Sequence, residues 1–528
     1  MHPLIYQDDV LRQVFGQLAD ELDEEIVKPR IAGLRGTMRN AALTCHSFHE
    51  PALDALWRTL DSLYPLFNLI PSLRTVKGRL IIDRTLADND LQRYRLHSCR
   101  VRKLRYESSW RNPNRILPIS YTRLFRSLGA PLVPSLQVLD WKAHDFGLQL
   151  PTLITPTLVD VDIGLQEPGP WDNDDSEDEH LSFENSMART EALETFLYNL
   201  VCAVPNLQSL ALRDSMLIGA SLESVYGFMH LKSLTIYCYE SSDSPPLTTI
   251  CYQDLVMFSK MTDLTYLDIN VSSIDVPEGT DNLTFPSLRD LKLLAPPSKA
   301  ACLLTLLHSS PLRTISVGLI PGDETDHYQS LFHGLAIPDL VELSLDIQFE
   351  PDDIETDIVL EAHSLLPPLL QCRKLQKVNI VLVEDEMPPI RIDDDDLLLM
   401  AQAWPCLTDL CLLYNIDSSK MPTIRGLGVF ATHCPHLLAL DIKVDPNIPF
   451  PDPDELPISE HTLQNLDLDG PKPKDLVEVA QWIYTLFPSL ESGPSASKTW
   501  SEVTSIVEAF HAMELVYERR SAWQTSGS

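Results

Sequence analysis

An α/β repeat solenoid preceded by a small helical domain is the fold class this sequence predicts, and three observations predict it. First, an apolar residue at relative positions 0, 3 and 5 recurs from thirteen starts: Val101, Leu136, Leu158, Leu207, Leu231, Leu264, Leu288, Leu312, Leu340, Leu375, Leu407, Leu437 and Leu463. Their spacings run from 22 to 49 residues with a mean of about 30, a period that belongs to stacked repeats. Second, Pro134, Pro156, Pro205, Pro286, Pro338, Pro405 and Pro435 each stand two residues before a start. Proline cannot continue a helix and pushes the preceding residue toward extended geometry, so this offset marks where helix gives way to strand. Third, helical text halts at such prolines, as in QAWPCLTDLCL (402–412) and THCPHLLALDI (432–442). One short strand cannot bury its apolar face alone, whereas stacked neighbours can.

Residues 1–60 predict three helices. In DDVLRQVFGQL (8–18), Val10, Leu11, Val14, Phe15 and Leu18 fall at helical spacing behind a capping Asp8 or Asp9. MRNAALTCHSF (38–48) reads as a second helix. EPALDALWRTL (50–60) reads as a third, with Pro51 at its first turn. These helices can cap the array or form a domain of their own. Residues 61–100 are a short apolar linker and the N-terminal cap of the array. Residues 101–490 hold the repeats, interrupted by an acidic, disordered insertion at about 168–190 that contains WDNDDSEDEH (171–180). In 491–528, Trp500, Val503, Ile506, Val507, Phe510 and Met513 predict a helix that closes the last repeat.

Composition narrows the function. Asp plus Glu number 75 against 41 Lys plus Arg, a net charge of −34. That field repels nucleic acid and anionic membranes and attracts basic protein segments. The N-terminus lacks the pattern of a secretory signal, and no apolar run is long enough to span a bilayer. The ten cysteines include no C-x-x-C pair and read as reduced thiols, so a cytoplasmic or nuclear protein is expected.

Motifs that suggest chemistry dissolve in context. GLGVFA (426–431) matches a dinucleotide fingerprint but occupies the helix of a repeat, without the strand that such a site needs before it. Cys406, Cys411, His433, Cys434 and His436 have no zinc-ligand spacing. The acidic runs, DDDD (393–396) among them, lack the order of a calcium loop. Ser176, followed by three acidic residues, suits an acid-directed kinase. The expectation is therefore a protein without catalytic residues, metal or cofactor.

RGLGVFATHCPHLLALDI (425–442) and DLLLMAQAWPCLTDLCLLYN (396–415) resemble the cysteine-containing leucine-rich repeat of F-box proteins, with Asn415 at the turn-capping position. The N-terminal stretch resembles an F-box: Val10-Leu11, Val14-Phe15, Cys45-His46-Ser47-Phe48 and Leu56-Trp57 match its pattern in order. Ile5-Tyr6 replaces the family's Leu-Pro, and ADELDEEIV (19–27) lengthens the first connection. The irregular spacing and the basic RYRLHSCRVRKLRY (93–106) are similar to the fungal members of that family. The resemblance implies that Val10, Leu11, Val14, Phe15, Leu18, Phe48 and Trp57 present an apolar surface to a Skp-family adaptor. Through it the chain would join a cullin-based ubiquitin ligase of the SCF type, with the array recruiting a protein substrate. The alternative is a repeat scaffold with no ligase role.

The strands also predict a binding face, because residues at positions 2 and 4 point away from the core. Nine of those 26 positions are acidic and four, Lys103, Arg105, Lys292 and Lys377, are basic. Asp268, Asp409, Asp441 and Asp467 are the candidate substrate-binding residues. The last three form an acidic patch suited to a basic segment of a partner.

Overall fold

The computed structural model describes residues 8–24, 28–76, 79–107, 116–143, 149–165, 179–213, 221–237, 250–271, 274, 276–277, 280, 282–320, 326–347, 359–382, 389–415, 421–448, 459–490 and 500–526. The chain forms two compact units, Met1–Leu264 and Thr265–Ser528.

The first unit opens with α1 (Asp8–Glu24), α2 (Lys28–Ala42) and α3 (His46–Arg58). Their boundaries differ from the sequence expectation. Ala19 and Leu22 extend the stripe of Leu11 and Phe15 at helical spacing, so α1 continues through much of the acidic stretch read as an insertion. The second helix starts earlier and ends at Ala42, and a turn separates it from α3. Pro51 sits inside α3, not at its first turn. After α3 come β1 (Thr59–Leu60), α4 (Tyr64–Phe67), β2 (Leu73–Val76), β3 (Arg79–Ile82) and α5 (Asp88–Ser98). The linker is thus a built cap: β2 and β3 form an antiparallel pair, and Phe67 packs on the rings of Tyr94 and Tyr121.

The array of this unit follows as β4 (Lys103–Glu107), α6 (Pro118–Leu128), β5 (Val138–Ala143), β6 (Asp160–Leu165), α7 (Glu179–Ala203), β7 (Ser209–Arg213), β8 (Ser233–Tyr237) and α8 (Tyr252–Phe258). Its strands are parallel in the order β1-β4-β5-β6-β7-β8. Most of the acidic run 171–180, with Ser176, lies outside the described residues. From Glu179 the backbone is helical, so the last part of the expected insertion, 179–190, belongs to α7.

The second unit contains β9 (Tyr266–Asn270), β10 (Asp290–Ala295), α9 (Pro297–Leu306), β11 (Thr314–Leu319), α10 (Asp326–Gly334), β12 (Glu342–Ile347), β13 (Leu360–Glu361), α11 (Ala362–Leu365), β14 (Lys377–Leu382), β15 (Ile390–Arg391), α12 (Asp394–Ala403), β16 (Asp409–Tyr414), α13 (Leu427–His433), β17 (Ala439–Lys443), β18 (Asn465–Asp469), α14 (Leu476–Leu486) and α15 (Ser501–Ser526). Eight of its strands are parallel neighbours in the order β9-β10-β11-β12-β14-β16-β17-β18. The fold is an α/β solenoid of the leucine-rich-repeat type.

The repeated phrase sets this geometry. Each of the thirteen starts is followed two residues later by the first residue of a parallel strand. The start residues are themselves buried, as are nearly all the residues at positions 3 and 5. A buried leucine is worth about 1.5–3 kcal/mol over an exposed one, so each repeat contributes a substantial share of the core. The main chain adds a second regularity. Within each unit the carbonyl one residue after a start accepts from two consecutive N–H groups of the next repeat: Gln376 O, for example, takes Thr408 N at 2.7 Å and Asp409 N at 3.0 Å. Two lone pairs allow it.

Side chains just before the starts tie repeats together. The Cys372 thiol donates to Leu335 O at 3.7 Å, and the Cys434 thiol lies 3.6 Å from Ala401 O and from Trp404 O. Trp404 Nε1 donates to Leu369 O at 3.2 Å, and His461 Nε2 donates to Cys434 O at 2.8 Å while its Nδ1 accepts from Leu463 N. The run at 393–396 is a cap: Asp393 accepts from the amides of Asp395 and Asp396, and Asp394 accepts from Thr423 N at 2.7 Å and Thr423 Oγ1 at 2.6 Å. GLGVFA sits at the junction of a short 3-10 turn (Ile424–Gly426) and α13, in the helix of a repeat.

Trp500, Val503 and Val507 of α15 are buried, and Phe510 packs on Tyr484 of α14. Met513 is 69% exposed, contrary to the expectation that it faces inward. The apolar stripe of α15 runs out before it, and α14 shares the capping.

Candidate functional site

Two surfaces collect the residues singled out by the sequence, one in each unit.

On the N-terminal helices, Leu11 and Phe15 are 6% and 5% exposed and sit in the core of the three-helix bundle with Leu22, Met38 and Ala52. Phe48 packs edge-on against Phe15 at 5.7 Å, and Leu18 lies partly buried against the same core. Trp57 stacks on the His97 ring at 4.6 Å, so it fastens α3 to α5. The expectation that all seven residues offer a docking surface is corrected for Leu11 and Phe15, because a bundle this small needs its large side chains for its own interior; Trp57 is half-buried and one face of its ring is covered by His97. Val10 is half-buried. Val14 remains 48% exposed, and Leu43, which sequence reading missed, is 75% exposed.

The same bundle is bound tightly to the array. β1 follows α3 directly and pairs with β4 through Thr59 with Lys103 and Leu60 with Leu104. Asp23, whose side chain is 7% exposed, accepts from Lys103 Nζ at 2.5 Å and from Thr59 Oγ1 at 2.5 Å, while Arg105 Nη1 donates to the Asp23 carbonyl at 2.8 Å. Arg100 pairs with Asp54 and with Glu50, and Arg12 reaches Asp54 at 2.8 Å. Lys103 and Arg105, expected as part of a free binding face, are thus engaged by the helices. Their partners lie about 80 positions away in sequence, beyond the reach of any local pattern.

In the second unit the strand register lines up Lys377, Asp409, Ala439 and Asn465 in one row and Asn379, Cys411, Asp441 and Asp467 in the next. Short side chains at Ala439 and Cys411 leave a groove of about 480 Å³ over β14, β16, β17 and β18. Asp409, Asp441 and Asp467 all line it, so three of the four predicted acidic residues come together. Lys377 also lines the groove and lies 3.2 Å from Glu342 in a pair open to water, and Lys443 lies 3.5 Å from Asp469. The Cys411 thiol donates to Asp441 at 3.6 Å. Burial, reinforced by Asp467, raises the Asp441 carboxyl above its ordinary range, and burial and Asp441 push the Cys411 thiol up to about 12. Asp268 is the exception. It is 4% exposed on β9, accepts from the Tyr266 hydroxyl at 3.3 Å, and takes no part in the groove.

Among the described residues, no group of three or more His, Cys, Asp or Glu side chains is placed to hold a metal, and no helix is long and apolar enough to cross a membrane. Cys434 and Cys411, considered as zinc ligands, are spent on carbonyl and carboxylate acceptors.

No protein-family model matches the chain, and no curated protein matches it. Similar solved structures include the internalin InlF of Listeria monocytogenes, at 14% identity over 83% of this chain and 94% of the other, with a TM-score of 0.29. Rad7 in its complex with Elc1 from yeast is similar at 15% identity over 83% and 88%, with a TM-score of 0.32. LegL7, a leucine-rich-repeat protein of Legionella pneumophila, is similar at 12% identity over 67% and 91%, with a TM-score of 0.26. At such values the likeness ends with the repeat architecture.

Proposed function

We propose that this chain is a substrate-recognition adaptor of the F-box type, in which the N-terminal helices engage a Skp-family adaptor, and through it a cullin, while the repeat array holds a protein target. The observation that carries the reading is the union of the two parts: a helical domain with exposed Val14 and Leu43 is joined to the sheet by β1 and the Asp23 and Asp54 ion pairs. A stiff joint suits an adaptor that acts by fixing a target at a set distance from a transfer enzyme, converting an encounter into a positioned reaction without chemistry of its own. The acidic groove, with Asp409, Asp441 and Asp467 in its lining, fits a basic segment of that target. The cytoplasm or nucleus is the compartment this role requires.

A second reading, an interaction scaffold without a ligase role, is favoured by the inward Leu11 and Phe15, which suit a simple cap. Binding of the full chain to a purified Skp-family adaptor separates the two. The adaptor role requires that the full chain bind and that Val14→Asp with Leu43→Asp abolish binding while helical content is kept. A full chain that does not bind assigns the helices to capping alone.

A further inference from the structure

The first unit contains a groove of about 580 Å³ between the N-terminal helices and the opening of the array. Gly16, Ala19 and Ala55 keep it open, and four guanidiniums from separate places in the chain line it: Arg12 of α1, Arg58 of α3, and Arg100 and Arg102 between α5 and β4. Of the carboxylates only Asp54 lines the groove with the four arginines, while Asp8, Asp20 and Glu50 pair with three of them from its rim.

The geometry points to an anion site that takes a phosphate monoester. Arg100 supplies the first argument. Its side chain is 9% exposed, and its buried Nε has no hydrogen-bond partner among the described residues. A buried donor left without an acceptor costs free energy, which an acceptor reaching it from the groove would recover. Arg102 supplies the second: among the described residues it has no carboxylate partner, and its Nη1 donates to the Ser135 carbonyl at 3.1 Å. The other compensating acids are exchangeable. Asp8 beside Arg12, Asp20 beside Arg58 and Glu50 beside Arg100 keep 63%, 59% and 57% of their side chains exposed, and ion pairs so open to water are weak. A phosphate monoester offers three acceptor oxygens and close to two charges, which matches forked donors converging from several directions better than one carboxylate does. Asp54 opposes the ligand and limits its affinity. The site stands apart from the ligase reading and does not depend on it.

The test titrates the full chain by calorimetry with orthophosphate and with a phosphoserine peptide. Sodium chloride of equal ionic strength and the unphosphorylated peptide are the controls. Arg102→Gln breaks no ion pair among the described residues, and Arg58→Gln repeats the test from α3 if the first variant fails to fold. The phosphate-bearing probes should bind, and each folded variant should weaken them by about tenfold or more. Tighter binding of the phosphopeptide than of orthophosphate would identify a modified protein as the ligand, and equal binding a small phosphate compound. The proposal is overturned if the chloride and unphosphorylated controls match the phosphate probes, or if the folded variants bind as the parent does.

Discussion

Replacing Lys103 by Met should loosen the N-terminal helices from the array, and the size of the effect follows from the burial of its partner. The Asp23 side chain is 7% exposed and holds two side-chain donors, Lys103 Nζ and Thr59 Oγ1, each at 2.5 Å. Without Lys103 the carboxylate stays buried with one neutral donor. Breaking a buried pair in this way costs on the order of 3 kcal/mol, because the remaining charge has lost its compensation. The cost falls on local opening of α1 and β1, so amide hydrogen exchange there should quicken by about two orders of magnitude. Strands β6–β8, which share none of these contacts, should exchange at the parent rate. Asp23→Asn combined with Lys103→Met removes the stranded charge and should restore most of the protection. If exchange in α1 and β1 stays within about twofold of the parent, the joint does not depend on this pair and the reasoning fails.

Three further outcomes follow from burial and charge. Phe15→Ala should cost about 3–5 kcal/mol in urea denaturation, whereas Val14→Ala, at an exposed position, should change stability by about 0.5 kcal/mol or less; equal effects would contradict the inward placement of Phe15. Burial pushes the thiols of Cys434 and Cys411 up to about 12 and that of Cys372 up to about 11, so in the folded protein at pH 8 iodoacetamide should label exposed Cys99, Cys202 and Cys406 and spare these three, as read by mass spectrometry. Asp441 binds its proton more tightly in the folded state than in the unfolded chain, so its charge destabilises the fold at neutral pH and that penalty fades as pH falls toward the ordinary carboxylate value near 3.9. Asp441→Asn should therefore raise Tm at pH 7 and lose that advantage near pH 4; a gain independent of pH would point to packing instead.

The strands were legible because their cause is local. Three apolar positions and a proline at a fixed offset suffice to end a helix, start a strand and choose its buried face, and neighbours in sequence carry all of that information. The meeting of Asp441 and Asp467 was legible for the same reason, since parallel register places equal positions side by side, while Asp409 stands in the adjoining row, opposite Ala439. What failed depended on distant partners. Phe15 turned inward because Met38 and Ala52 needed it there, and Lys103 left the binding face because Asp23 lay within reach. Asp268 was read as accessible from its strand position, yet β9 buries it. The groove itself required knowing that small side chains, Ala439 and Cys411, would meet across adjacent strands.

The doubled main-chain bond that links successive repeats within each unit has a consequence for how such a chain tolerates change. Because, within each unit, the carbonyl one residue after a start takes two successive amides of the next repeat, the alignment of those strands is copied from the predecessor and not measured along the intervening chain. The stretch between two starts can then lengthen or shorten, as it does here from 22 to 49 residues, without displacing any residue on the strand face. Insertions on the helical side are therefore silent to whatever the strands contact. A partner docked across several strands meets a ruled surface whose lines stay in step while the loops behind it are free to vary.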